Sequence, residues 1–123
     1  MRIIGLDIHR VFAEAVALQA GSLIRLGRIE MRRDRLAVFA RSLTHEDHVV
    51  IEATGNAAAV AEVLRPHAGR VVIANSQQIR LIAHAKIKTD SIDASVLARL
   101  YASGFLPEVF DRPRLASSLA TRS

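Results

Sequence analysis

Apolar and polar positions divide the chain into short segments of two different periods. Arg2 to Ile8 is apolar at Ile3, Ile4 and Leu6 without clean alternation, which predicts a strand buried on both faces. Val11 to Leu18 follows after two residues, and Leu23 to Ile29 follows the turn Gln19-Ala20-Gly21-Ser22. Connections this short predict an antiparallel three-strand meander. Leu36, Phe39, Ala40 and Leu43 then recur at helical spacing on a charged segment. His48 to Ala53 is a compact apolar strand. Thr54 and Asn56 are candidate caps for a helix whose stripe, Ala57, Val60, Ala61 and Leu64, stops at Pro66. Arg70 to Ala74 predicts another buried strand, and Ser76 to Ala85 a weaker helix. After Lys86-Ile87-Lys88 a stronger helix is expected from about Asp90 to Ser103, with Gly104 as a left-handed cap. Hairpin strands followed by strands alternating with helices make an α/β fold, a mixed sheet with helices on both faces.

The bulk properties narrow the class. At 123 residues, half of them apolar, the chain is long enough for one domain with its own core. It has no cysteine, which excludes disulfides, zinc ribbons and thiol catalysis and fits a reducing compartment. No apolar run reaches the roughly 20 residues of a membrane span and no signal-peptide pattern is present, so a cytoplasmic location without membrane attachment is expected. The net charge of +5 comes almost wholly from arginine, since Lys86 and Lys88 are the only lysines. Arginine forks match phosphate geometry, and a basic domain of this kind is compatible with nucleic acid. An ordinary solvated surface explains the same balance. With one Tyr and no Trp, contact with the backbone is expected rather than base stacking.

Three acidic motifs carry the chemistry. Asp7 closes the first strand in Gly5-Leu6-Asp7. Glu52 closes a later one in Ile51-Glu52-Ala53-Thr54-Gly55. Asp90 and Asp93 open a helical pattern in Lys88-Thr89-Asp90-Ser91-Ile92-Asp93-Ala94. An unpaired carboxylate is costly to bury, so such groups are usually paired or bind metal. If the first and fourth strands are parallel neighbours, Asp7 and Glu52 point to one edge. Asp90 and Asp93, three apart, share a face if both lie on the helix. Each acid alone has a plain reading: a turn residue, a helix cap, favourable first-turn charge. Together, at two strand ends and a helix start, they point to a Mg²⁺-dependent phosphodiester site. Two ions roughly 4 Å apart there stabilise the attacking and leaving oxygens.

Other chemistries find less support. His9, His45, His48, His67 and His84 show no zinc-like spacing with an acid; His9 lies two residues from Asp7 but reads better as a surface group. The serines lack a nucleophile-elbow setting, and no glycine-rich phosphate loop is present. Arg80, Lys86 and Lys88, next to Asp90 in sequence, are expected to grip a nucleic-acid backbone without reading bases; a merely solvated loop is the plain alternative.

The motifs Gly5-Leu6-Asp7-Ile8-His9, Glu52-Ala53-Thr54-Gly55 and Lys88-Thr89-Asp90-Ser91-Ile92-Asp93-Ala94 resemble the amino-terminal domain of IS110-family transposases, the DEDD recombinases. The similarity runs from about Arg2 through Phe110. It implies a RuvC-like, ribonuclease H-like fold over residues 1–110. It also implies that Asp7, Glu52, Asp90 and Asp93 are the catalytic acids holding two Mg²⁺ ions, for which Mn²⁺ can substitute. The implied activity is DNA transposition and recombination, with DNA and a structured guide RNA as partners and a homo-oligomer when full length. In that family a carboxy-terminal domain supplies a serine. Residues 111–123 resemble only the start of a helical linker, and Ser117, Ser118 and Ser123 do not match that serine's setting, so that domain is expected to be missing from this chain. Asn75-Ser76 stands where the family often has Asn-Pro. A truncated protein, a decayed gene and a stand-alone fragment remain open readings. So do a stand-alone Holliday-junction nuclease and a non-catalytic nucleic-acid-binding remnant. A sugar-kinase-like ATPase, suggested by Gly-Leu-Asp alone, lacks the phosphate loop it needs.

Overall fold

A computed structural model describes residues 1–106, so the tail at 111–123 and its serines lie outside the described residues. Five strands form one sheet: β1 (Arg2–Ile8), β2 (Phe12–Gln19), β3 (Ser22–Glu30), β4 (Asp47–Glu52) and β5 (Arg70–Ala74). The sheet order is β3-β2-β1-β4-β5. β1, β2 and β3 pair antiparallel, whereas β4 and β5 run parallel to β1. This is the expected mixed sheet, an antiparallel meander continued by parallel strands from crossover units. The β2–β3 turn works because Ala20 and Gly21 both take positive φ, 52° and 81°, the backbone that a tight hairpin of matching twist requires. Further along, Ala15 pairs with Gly27 but Val16 with Arg25, so Leu26 is an extra residue and β3 bulges.

The four α-helices are α1 (Arg33–Arg41), α2 (Ala57–Leu64), α3 (Ser76–Ile82) and α4 (Ala94–Ser103). One sheet face carries Ile4, Leu6, Ala13, Ala15, Ala17, Val49 and Ile51 and packs against α1 and α2. The other carries Ile3, Val50 and Ala74 and packs against α3 and α4 through Ile79, Leu97, Ala98 and Leu100. Both faces of β1 are therefore covered, which accounts for its lack of alternation.

Three local expectations are corrected. The last helix does not start near Asp90; it starts at Ala94 with Asp93 as its N-cap, so Asp90 and Asp93 do not share a helix face. The Asp93 carboxylate accepts from the Val96 backbone N–H at 3.0 Å, satisfying an amide that the helix leaves orphaned. The weak helix after β5 is α3 followed by a π-helical turn over Ala83–Ile87, which ends where Lys88 adopts φ 66°. Asn56 occupies the α2 N-cap position but makes no side-chain capping bond. At α3 the cap is secure despite Ser76: the Asn75 side chain accepts from Gln78 N–H at 2.9 Å.

Candidate active site

The alternation of side chains along a strand decides which acids meet. Ile3 and Val50 face α4, so Gly5 and Asp7 on β1 and Glu52 on β4 face the same side. Leu6 pairs with Ile51, which places Asp7 and Glu52 one residue further along two parallel strands. Across the other edge of β1, Asp7 pairs directly with Glu14 on β2, and Glu14 pairs with Arg28 on β3. A lateral row thus crosses the sheet: Arg28, Glu14, Asp7, Glu52.

Glycine at position 5 brings α4 onto this row. A Cβ built there would overlap the Ala94 carbonyl oxygen, so only a residue without a side chain lets the first turn of α4 rest on β1. That approach sets Asp93 over the sheet, where it lines a cleft of about 300 Å³ together with Glu14, Arg25 and Ser95. Besides capping α4, the Asp93 carboxylate accepts from Ser95 Oγ at 2.7 Å.

Asp7 is the electrostatic centre of the row. Burial pushes its carboxyl above the ordinary value and His9 opposes the shift; Glu52 and Glu14 push it further up. His9 Nε2 lies 3.1 Å from Asp7 Oδ2. Like charges directly opposite on paired strands repel, and Glu14 is balanced on its outer side by Arg25 at 3.7 Å and Arg28 at 3.6 Å. Among the described residues, Asp7, His9 and Glu14 each offer a ligand atom with all three within 4.8 Å of one another. Carboxylate oxygens with one imidazole are a donor set that suits a divalent cation.

The four acids expected from the sequence sit in different settings. Asp7 and Glu52 are neighbours, and Asp93 lies across the cleft from Glu14. Asp90 is 89 % exposed and bonds to His84 Nδ1 at 2.8 Å. Residues 88–93 around it form a loop rather than a helical turn. Of the expected nucleic-acid contacts, Arg80, Lys86 and Lys88 are exposed, and the Lys86 ammonium stands 5.1 Å from the centre of the Phe105 ring. Glu14 and His9 were not among the expected site residues. The signal for Glu14 is a lone charge on the stripe Phe12, Glu14, Val16, Leu18, opposite an alanine-only stripe at 13, 15 and 17.

A mixed sheet thus carries carboxylates on adjacent central strands, Asp7 on β1 and Glu52 on β4. A family model described as a transposase, that of the IS110-type DEDD transposases, matches residues 4–123. The chain belongs to that family, whose function is DNA transposition. Among solved structures, the chain is similar to T. thermophilus RuvC in complex with a Holliday junction substrate. Identity is 9 %, with 89 % of this chain and 99 % of that chain covered, at a TM-score of 0.46. None of the curated proteins matches. No helix among the described residues is long and apolar enough to cross a membrane.

Proposed function

We propose that this domain binds Mg²⁺, with Mn²⁺ as a substitute, through Asp7, Glu52, Asp90 and Asp93, and that DNA strands are cut and joined there during transposition. The observation that carries the reading is the position of Asp7, half-buried between Glu14 and Glu52 with its carboxyl pushed up. Burial and its two acidic neighbours oppose the ionised Asp7, and a cation held there would offset both. When bound, a divalent ion supplies Lewis-acid stabilisation of the charge that develops on a phosphodiester under attack. The protein's own share is positional. β1 and β4 hold Asp7 and Glu52 on rigid backbone, Gly5 seats Asp93 above them, and His9 fixes the Asp7 carboxylate. On this reading Asp90 must leave His84 to take part. Arg80, Lys86 and Lys88 are proposed to hold the nucleic-acid backbone on the α3–α4 side. A structured RNA partner and a homo-oligomer follow from the family resemblance.

Thermal unfolding with and without metal tests the reading. Mg²⁺ and Mn²⁺ should raise the melting temperature, because an ion that binds only the folded arrangement stabilises by mass action. Asp7→Asn should abolish most of that rise. Because the ionised Asp7 is held in an unfavourable setting, the same variant should leave the metal-free protein as stable or raise its Tm by about 2–5 °C. A metal-induced rise that persists in Asp7→Asn places the ion elsewhere. Metal binding without metal-dependent cleavage of labelled DNA would favour a non-catalytic remnant.

A further inference from the structure

A second charged surface lies at the same end of the sheet. The β1–β2 turn and the end of β3 enclose a groove of about 640 Å³ lined by Arg10, Val11, Phe12, Arg28, Glu30, Met31 and Arg32. Phe12 organises it: the Arg28 guanidinium stands 4.1 Å from its ring centre, and His9 stacks on it at 4.6 Å. His9 is the residue that holds Asp7, so groove and acidic row are joined through one side chain. Among the described residues that line the groove one is acidic, Glu30, shared between Arg32 at 3.3 Å and Arg35 at 3.6 Å; Arg32 also meets Asp34 at 3.2 Å and Arg28 meets Glu14 at 3.6 Å. Arg10 is exposed at the tip of the turn.

We propose that this arginine groove holds the phosphate backbone of the nucleic acid whose strand lies at Asp7, on the side opposite Lys86 and Lys88. The inference rests on the nuclease reading above and adds the second half of the strand's path. Arg10, Arg28, Arg32 and Arg35 against Glu14, Glu30 and Asp34 leave net positive charge, with Arg10 the exposed surplus, and planar guanidinium forks suit phosphate oxygens better than point charges do. Phe12 is engaged by His9 and Arg28, so it anchors the arginine and is not left free to stack on a base. Binding is therefore sequence-indifferent and strongly salt-dependent.

The test is fluorescence anisotropy with a labelled duplex of arbitrary sequence, titrated at several salt concentrations without divalent metal. Arg28 is left intact, since removing it would also take from Glu14 one of its two outer partners. Arg10→Ala/Arg32→Ala should lower the slope of log affinity against log salt by about one to two units, roughly 0.9 for each phosphate no longer neutralised. Arg10→Lys/Arg32→Lys should recover most of the slope. An unchanged slope in the double alanine variant overturns the inference, while a drop in Lys86→Ala/Lys88→Ala alone would leave the nuclease reading standing on the lysine loop. A slope that falls with alanine and does not recover with lysine marks a structural effect and also overturns it. Failure of the wild-type chain to bind at low salt overturns both readings.

Discussion

At residue scale, Gly5 shows how a position without chemistry governs a site. It donates no ligand, yet the close approach it permits sets the height of α4 over β1 and hence the place of Asp93. The overlap involves backbone, which has no rotamer to turn away. Gly5→Ala should therefore destabilise the protein by about 1–3 kcal/mol, the usual cost of overpacking. Denaturant unfolding measures that loss, and the metal-induced rise in Tm should shrink with it. A variant as stable as the wild type, with an undiminished metal response, would mean that α4 does not need this approach. From sequence, Gly5 is legible only as part of Gly5-Leu6-Asp7. The group it must avoid, the Ala94 carbonyl, lies far along the chain, and nothing local announces it.

Among the elements, the start of α4 does two jobs with one carboxylate. Asp93 caps the helix and faces the cleft, and the two roles separate by substitution. Asn caps helices about as well as Asp, so Asp93→Asn should change stability by less than about 0.5 kcal/mol, whereas Asp93→Ala should cost about 1 kcal/mol. Both should weaken metal binding by isothermal calorimetry if the charge is a ligand. Undiminished metal affinity in Asp93→Asn would leave the residue as a cap only. The expected helix from Asp90 overreached because the spacing of Asp90, Asp93, Leu97 and Leu100 is helical. The cap bond at Asp93 ends that pattern early, and residues 88–93 instead leave the π-helical turn through the left-handed Lys88. Strands β1 and β5 and helix α2, by contrast, were legible almost to the residue, because turn chemistry, Pro66 and continuous apolar runs bound them on both sides.

For the whole molecule, a buried polar tie at the opposite end of β1 from the acidic row matters to the sheet. Asp47, 3 % exposed, takes two hydrogen bonds from Arg2, at 2.9 and 2.8 Å, and one from the Thr44 backbone N–H at 2.9 Å. It fastens the start of β1 to the start of β4, the parallel pair on which Asp7 and Glu52 depend. Burial alone would push the Asp47 carboxyl up, but the bonds from Arg2 and Thr44 outweigh it and hold it below the ordinary value. With a depressed folded-state value, the stabilisation is present above the unfolded value of about 3.9 and is lost as pH falls through the folded one. Asp47→Asn should cost about 1–3 kcal/mol at pH 7. Between pH 5 and strongly acid solution its Tm should fall less steeply than that of the wild type. Parallel pH profiles for the two proteins would show that Asp47 is not a main source of acid lability.

The amino-acid sequence by itself determined the element types, because period, turn residues and caps act over a few neighbours. It also determined which residues carry unusual charge at element ends, and through the three acidic motifs it pointed to the transposase family. The choice of neighbours belonged to the tertiary structure. Only the parallel pairing of β1 with β4 sets Glu52 beside Asp7, and only the antiparallel register of β2 sets Glu14 on its other side. His9 reads as an isolated surface residue until Phe12 and Asp7 close around it. Register and strand order depend on burying the two faces of one sheet at once, a condition summed over the whole core and therefore written in no single segment.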